Sequence, residues 1–284
     1  MRKLFITTLL LSLANLPAAA QTLPGLPPGP LGAAIQSGHD MIMQTGTNAA
    51  SKAYIGNALT CANCHTNAGN NDHPGNFLNT ASEYPSFSPR EGAVITLEDR
   101  IANCFMRSMN GKRPSTDSAV VVDMAAYIDW LDRDKKVEAL PTPAASPYPA
   151  MVKAATAADY AAGQTLYKQN CAACHGANGA GMGSFPPVWG ARSYNAGAGL
   201  ANIAKLATWV KGNMPLGNPH LSDQEAFQVA LYVDTQPRPD FVLRDHLPPG
   251  QAYNANVHSE TDSVASNLKK AGLSAAALQN TKAP

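Results

Sequence analysis

The chain has few charged and few aromatic side chains for its length. Of its 284 residues, 14% are charged, 7% are aromatic and 45% are hydrophobic. Lysine and arginine total 21 against 20 acidic residues, so no basic surface suited to nucleic acid is indicated. The hydrophobic share argues against a disordered chain, and no collagen or long coiled-coil repeat is present. The scarcity of aromatic residues indicates that something other than Phe and Trp fills part of the core.

Hydrophobic runs long enough to cross a membrane are also lacking. The apolar run at residues 4–13 falls well short of the roughly 20 residues that a spanning helix needs. It follows Arg2 and Lys3 and precedes the small residues 18–20, which is the pattern of a secretory signal peptide. We therefore expect no membrane span, cleavage after about Ala20, and a soluble protein exported to the periplasm.

Strand signals are weak, whereas helix signals recur in both halves of the chain. Thr96 precedes two acidic residues and an apolar pattern in steps of three and four, which predicts a helix ending near Asn110. A further helix is predicted to begin near Ser115. In the second half, residues 156–170 and a capping box that opens at Ser222 predict two more helices.

The order of these segments predicts two copies of one small all-α module. Each copy has a helix, a Cys-x-x-Cys-His motif, a loop-rich stretch and a closing helix with a tyrosine on its apolar side. Residues 141–150 are rich in proline and alanine, which is typical of an extended linker. The expected organisation is a signal peptide at 1–20, a first domain at 21–140, a linker at 141–155, a second domain at 156–240 and a tail at 241–284.

Four of the five cysteines occur in two copies of the motif Cys-x-x-Cys-His, which is the attachment signature of c-type haem. The thiols, three residues apart, reach both vinyl groups of one porphyrin, and the adjacent histidine becomes the proximal iron ligand. A redox dithiol or a zinc site explains neither adjacent histidine. We therefore predict two covalently bound haem c groups, with these attachment cysteines and histidine ligands: Cys61, Cys64 and His65 for haem 1, and Cys171, Cys174 and His175 for haem 2.

A second axial ligand is predicted for each haem iron. Met214 lies in a Gly- and Pro-rich loop 39 residues after His175, and methionine is a common ligand in such modules. The same offset from His65 arrives at Cys104, the one cysteine outside the motifs. Cys104 is therefore the predicted distal ligand of haem 1. A buried structural cysteine, an intermolecular disulfide, and ligation by Met106 or Met109 remain alternatives.

Basic and hydroxyl residues accompany Cys104. Arg107 and Ser108 follow it on the same helix, and Arg90 lies in a loop that begins at Tyr84. Arginine makes paired, charge-assisted hydrogen bonds to oxyanions, so these residues suit a small dianion. They are equally suited to haem propionates. Lys112 and Arg113 are interpreted as solvated or propionate-pairing residues.

The sequence resembles the dihaem c-type thiosulfate dehydrogenases, which join two thiosulfate ions into tetrathionate. The resemblance rests on both haem motifs, the Tyr84-Pro85…Phe87…Arg90 loop, the segment from Arg100 to Gly111 and Asn213-Met214-Pro215. It covers roughly residues 30–240. In some relatives a lysine precedes the methionine ligand and exchanges with it; Asn213 occupies that position here, so we do not expect the exchange.

The resemblance implies an oxidoreductase in which haem 1 is catalytic and haem 2 relays electrons to a soluble c-type cytochrome or another periplasmic acceptor. It implies His65 and Cys104 as ligands of haem 1, and His175 and Met214 as ligands of haem 2. On this hypothesis Arg90, Arg107 and Ser108 hold thiosulfate, and Cys104 bonds its outer sulfur. The alternatives are a dihaem cytochrome that only transfers electrons, a haem sensor, and the Cys-ligated haem subunit of a periplasmic sulfur-oxidising complex.

Overall fold

The computed structural model describes residues 22–133, 145–250 and 253–274. Within them the chain is mostly helical, with one short antiparallel hairpin, which confirms the expected helical class. The predicted signal peptide lies outside the described residues. No helix in the described ranges combines the length and apolar character needed to cross a bilayer.

The described helices fall into two modules and a tail. The first module contains α1 (Pro30–Met43), β1 (Ser86–Ser88), β2 (Ala93–Ile95), α2 (Leu97–Arg107) and α3 (Ala119–Asp132). The second contains α4 (Tyr148–Lys153), α5 (Ala157–Asn170), α6 (Ala172–His175), α7 (Ile203–Asn213) and α8 (Asp223–Asp234). The tail contains α9 (Leu243–His246) and α10 (Ser263–Lys270).

Capping residues set the starts of three of these helices, and the sequence predicts two of them, Thr96 and Ser222. The Thr96 hydroxyl accepts a hydrogen bond from the Asp99 amide at 3.2 Å, and Thr156 caps α5 in the same way. Ser222 and Glu225 form the capping box of α8. Each cap satisfies amide donors that the helix itself leaves unpaired, so these local signals alone position the N-termini.

A glycine at the closest approach of two helices is common to both modules. In the first, α1 packs on α3 and a Cβ at Gly38 would lie 2.0 Å from the Asp123 carbonyl oxygen. In the second, α5 packs on α8 and a Cβ at Gly163 would lie 2.0 Å from the Gln228 carbonyl oxygen. The absent side chain lets the two backbones touch, so each module closes in the same way.

Replacing Gly163 with alanine is expected to destabilise the protein by about 1–3 kcal/mol, the usual cost of overpacking. The new methyl group would overlap a carbonyl oxygen that belongs to α8 and cannot move independently. Denaturant unfolding measures the change. Gly199→Ala is the matched control, because a Cβ there meets nothing within 4 Å; equal effects of the two substitutions would contradict this account.

The end of the predicted linker is helical and packed, which differs from the extended conformation expected for residues 141–150. Tyr148 begins α4, is 3% exposed, and donates a hydrogen bond from its hydroxyl to Asp223 at 3.1 Å. Burying this aromatic ring outweighs the extended preference of the surrounding prolines. Residues 134–144 lie outside the described residues.

The segment predicted as a loop around Arg90 contains a hairpin. Strand β1 pairs with β2 in the register Ser86↔Ile95, Phe87↔Val94 and Ser88↔Ala93. The hairpin leads directly into α2, so the turn that carries Arg90 and Glu91 is held beside the helix that carries Cys104.

The tail folds back over the first module and contacts the segment from α2 to Arg113. The Tyr253 hydroxyl donates to Asn103 Oδ1 at 2.7 Å, His246 Nδ1 donates to the Gly111 carbonyl at 2.7 Å, and the Arg113 amide donates to the His246 carbonyl at 2.8 Å. The tail therefore buries one side of α2, a contact that the sequence did not indicate.

Candidate haem and substrate site

A cavity that is partly open to solvent lies in the first module. Its walls are mostly apolar, and both modules contribute to them. Ile42 comes from α1, Met124 and Ile128 come from α3, and Tyr194 and Leu200 come from the second module. Apolar walls contributed by several helices suit a large planar cofactor.

The structure brings the predicted haem 1 residues together in this cavity. Cys61, Cys64 and His65 line it, and α2 contributes Cys104 to the same space. Cys104 lies 43 residues beyond Cys61 in the sequence. The two residues meet because α2 packs against the rest of the first module. Cys104, the residue that the offset between the two repeats predicts, therefore does reach the cavity.

The two Cys-x-x-Cys-His motifs share one local geometry. In the first, the His65 amide donates to the Cys61 carbonyl at 2.9 Å. In the second, the His175 amide donates to the Cys171 carbonyl, also at 2.9 Å. One helical turn thus places two thiols and an imidazole on the same side of the backbone.

Both histidines are oriented by a hydrogen bond from Nδ1 to a backbone carbonyl. His65 bonds Gly75 at 2.6 Å, and His175 bonds Pro186 at 2.8 Å. A carbonyl only accepts, so Nδ1 carries the proton and Nε2 is left unprotonated for a metal. Burial lowers the pKa of His65 to about 4, which keeps the imidazole neutral. This is the state that iron ligation requires.

The donor set fits a covalently attached haem. Cys61 and Cys64 form no disulfide, and burial raises the pKa of each thiol to about 12. The thiols are therefore neutral and poorly solvated beside an apolar cavity. Two such thiols, a histidine with a free Nε2 and a large apolar space match the requirements of a c-type haem.

Arg100 is the closest charged neighbour of Cys104. Its Nη1 donates a hydrogen bond to Cys104 Sγ at 3.0 Å, and the sulfur raises the pKa of Arg100. The Tyr84 side chain also hydrogen-bonds Arg100, and burial raises the pKa of Tyr84. Sequence reasoning did not select Arg100, although its position four residues before Cys104 places both on one helix face.

Ser108, one of the predicted substrate residues, lines the cavity. It ends α2, its amide donates to the Cys104 carbonyl, and its own carbonyl accepts from Asn57 Nδ2 at 2.8 Å. Cys104, Arg100 and Ser108 thus form one polar strip along α2 within an apolar cavity.

Arg107, which the sequence predicts to hold thiosulfate, pairs with other groups of the protein. It is 1% exposed, pairs with Glu91 at 3.1 Å, and lies over the Phe241 ring at 4.5 Å. It does not belong to the cavity lining. The neighbouring Arg113 pairs with Asp99 at 2.7 Å, and Lys112 donates to the Asp245 carbonyl. Arg107 and Arg113 are therefore paired with carboxylates of the protein, whereas Lys112 is exposed to solvent and bonds a carbonyl.

Arg90, also predicted to hold the substrate, is not among the residues that line the cavity, but it interacts electrostatically with Arg100, which is. Burial, Arg107 and Arg100 lower the pKa of Arg90, and burial, Arg90 and Arg100 lower the pKa of Lys205. Arg100 therefore disfavours the charged forms of Arg90 and Lys205, and an added anion would offset this repulsion. Lys205 belongs to α7 of the second module, so no pattern within the first half of the sequence indicates it.

The two methionines near Cys104 occupy different environments. Met106 is fully buried and packs with Phe241 and Val257 of the tail. Met109 lines the cavity. Only Met109 of these two therefore shares the space with Cys104 and His65.

The second motif borders the core of the second module. Cys171 and Met214 pack against the same group of buried residues, which includes Leu206 and Val210 of α7. Met214 follows the last residue of α7, and its amide donates to the Val210 carbonyl at 2.9 Å. Met182, nearer His175 in the sequence, is 53% exposed.

The fold and both motifs define a c-type cytochrome with two domains. Residues 46–137 match the family described as "SoxA/TsdA, cytochrome c domain", and residues 158–233 match "Cytochrome C oxidase, cbb3-type, subunit III". These matches confirm the prediction of two cytochrome c domains, a class of domain that binds haem c.

Individual relatives narrow this class to one family. The thiosulfate dehydrogenase of Allochromatium vinosum is 38% identical over 79% of this chain and 87% of its own length. That of Thiomonas intermedia is 36% identical over 75% of this chain and 69% of its own length. The solved thiosulfate dehydrogenase TsdBA of Marichromatium purpuratum superimposes with a TM-score of 0.68 at 31% identity; the match covers 80% of this chain and 50% of that one. The chain belongs to the thiosulfate dehydrogenase family, as its resemblance implied.

Proposed function

We propose that this protein is a periplasmic thiosulfate dehydrogenase that joins two thiosulfate ions into tetrathionate at the cavity of the first module. When bound, haem 1 and haem 2 would carry the released electrons to a soluble c-type cytochrome or another periplasmic acceptor. The observation that carries this proposal is the presence of Cys104, with Arg100 on its sulfur, in the cavity that Cys61, Cys64 and His65 line. Family relatives that bear the name of this activity support it.

Cations beside Cys104 hold the substrate. Arg100 is oriented by Cys104 and Tyr84, while Arg90 and Lys205 have their pKa values lowered by burial and by neighbouring cations. A thiosulfate dianion beside them offsets this repulsion and receives charge-assisted hydrogen bonds. Ser108 supplies a hydroxyl at the same wall. The sequence alone predicted Arg107 as a substrate-binding residue. In this proposal it supports the site indirectly, through its ion pair with Glu91.

The reaction needs a nucleophile that forms and then releases a sulfur–sulfur bond. The Cys104 thiolate bonds the outer sulfur of one thiosulfate, and two electrons leave this pair. The outer sulfur of a second thiosulfate then attacks the sulfur bound to Cys104, which forms tetrathionate and restores the thiolate. The sum is two thiosulfate ions giving one tetrathionate ion and two electrons, with no net proton.

Two haems are assigned to the two motifs. His65 and Cys104 would hold the iron of haem 1, and His175 and Met214 that of haem 2, with thioether bonds at the four motif cysteines. When bound, each haem accepts one electron at a time, so two together match the two electrons released.

Thiosulfate-dependent reduction of the purified protein tests this function. We expect haem absorbance to change on adding thiosulfate alone, and tetrathionate to form in a one-to-two ratio with thiosulfate consumed when an acceptor is present. The absence of both signals would favour a cytochrome that only transfers electrons. A signal that requires an added sulfur-carrier protein would favour a subunit of a sulfur-oxidising complex.

Arg100→Met is expected to reduce kcat/KM for thiosulfate by about 10- to 150-fold, because it removes a charged hydrogen-bond donor worth about 1.5–3 kcal/mol. Steady-state kinetics at constant ionic strength measures this change. Lys52→Met is the control, because it removes an exposed cation that is distant from Arg100 in the sequence. It should leave kcat/KM within about twofold of the native value. Native kinetics in the Arg100 variant would exclude Arg100 from substrate binding.

A further inference from the structure

The last turns of α7 contact the haem-binding loop of the first module. Trp209 Nε1 donates to the Cys64 carbonyl at 2.9 Å, and Asn213 Nδ2 donates to the Pro74 carbonyl at 3.0 Å. Both bonds join residues more than 130 positions apart in the sequence. A helix of the second module thus holds the segment that follows the first haem motif.

On one side these contacts end one residue from the hydrogen-bond acceptor of His65, and on the other side they end one residue from Met214. On the first side, Pro74 precedes Gly75, whose carbonyl accepts the Nδ1 proton of His65 at 2.6 Å. On the second side, Asn213 precedes Met214 directly. A continuous series of bonds therefore joins the carbonyl that orients His65 to the residue proposed as the ligand of haem 2.

The contact is tightly packed. Asn213 is 4% exposed, and its side-chain nitrogen Nδ2 donates to the Trp209 carbonyl as well as to the Pro74 carbonyl. A Cβ at Gly212 would lie 2.3 Å from Pro74 Cδ, and one at Gly75 would lie 3.3 Å from Trp209 Nε1. Interfaces packed to this degree transmit displacement rather than absorb it.

We propose that Trp209 and Asn213 are positioning residues that couple the axial ligands of the two haems across the module interface. The proposal rests on the haem assignments of the proposed function. Asn213 fixes both the Pro74–Gly75 segment that orients His65 and the start of the Met214 loop. Trp209 holds the carbonyl of an attachment cysteine of haem 1. The redox properties of haem 1 therefore depend on residues of the second module.

The direction of the effect follows from the bond between His65 and Gly75. When the Gly75 carbonyl is held firmly, its hydrogen bond makes the His65 imidazole a stronger electron donor to iron. A stronger electron donor favours the ferric state. Releasing Pro74 or Cys64 loosens that segment, so the reduction potential of haem 1 should rise. The expected size is about a tenfold shift of its one-electron reduction equilibrium, or ~59 mV.

Redox titration of the holoprotein with a chemical reductant, together with low-temperature spectra of the axial ligands, tests the coupling. Asn213→Ala and Trp209→Phe are compared with Thr208→Ala, which loses only a hydroxyl that bonds the Ala204 carbonyl on the same helix. Trp209→Phe keeps an aromatic ring and removes the donor, so it remains informative if Asn213→Ala folds poorly.

We expect both variants to raise the potential of haem 1 and to alter its ligand spectrum, with Thr208→Ala unchanged. A change confined to haem 2, or no change at either haem, would overturn the coupling. Because no thiosulfate is present, the titration reads the coupling whether or not the native protein oxidises thiosulfate. Failure of the proposed function is seen instead in the native protein's response to thiosulfate.

Discussion

Replacing Cys104 with serine or methionine is expected to lower thiosulfate turnover at least about a thousandfold, the scale on which enzymes lose rate without their nucleophile. Serine keeps the size of the side chain but is a far weaker sulfur acceptor, and methionine keeps a sulfur atom but cannot form the covalent adduct. Steady-state tetrathionate formation at saturating thiosulfate measures the loss. Both variants should retain covalent haem, because the attachment cysteines are unchanged.

Met109→Leu is the matched control for Cys104. Met109 lines the same cavity, and the exchange conserves volume, so its cost in stability is below about 1.5 kcal/mol and turnover should remain near native. If the Cys104 variants turn over thiosulfate at the native rate, the sulfur adduct is excluded. If Met109→Leu is as inactive as they are, the cavity rather than the thiol is the sensitive feature.

The ion pair between Arg107 and Glu91 should make a large contribution to stability. Both side chains are nearly inaccessible, at 2% and 5% exposure, and their nitrogen and oxygen lie 3.1 Å apart. Glu91→Leu removes the partner and leaves the guanidinium buried; among the described residues, a Glu260 oxygen at 3.7 Å and the Phe241 ring remain beside it. Removing one partner of such a pair costs about 3–5 kcal/mol, which urea unfolding of the holoprotein measures.

Two comparisons make this prediction specific. Arg133→Met breaks an exposed pair with Asp129 at 3.4 Å and should cost no more than about 0.5 kcal/mol. Arg107→Met should destabilise the protein while the remaining folded fraction keeps a native KM. A native stability with a strongly raised KM would instead assign Arg107 to substrate binding, as the sequence first indicated.

The features that sequence reasoning identified are those encoded within a few residues of one another. The caps at Thr96 and Ser222 pair with acidic residues three positions later, and the structure contains both bonds. Cys104 was found by comparing the two repeats, and it does line the cavity with His65. The hairpin at 86–95 and the helix α4 were missed, because each is stabilised by packing against the rest of the fold.

Side chains that depend on distant partners were the hardest to assign. Arg100 and Arg107 lie on one helix, and neither the sequence spacing nor their identity reveals which one meets the sulfur and which one meets Glu91. Lys205 enters from the second module, and the tail that covers α2 has no motif of its own. The positions of these side chains depend on contacts between residues more than 100 positions apart in the sequence, or on which carboxylate is buried nearby.

The sequence by itself determined the two haem attachment motifs, the helical class and the register that leads to Cys104, because each depends on spacing along one short segment. Only the tertiary structure decided that Arg100 rather than Arg107 contacts the sulfur, that α7 holds the loop beside His65, and that the tail buries one side of α2. Long side chains and module interfaces adopt the arrangement that buries charge in pairs and leaves no void. That balance is settled only when distant parts of the chain pack together.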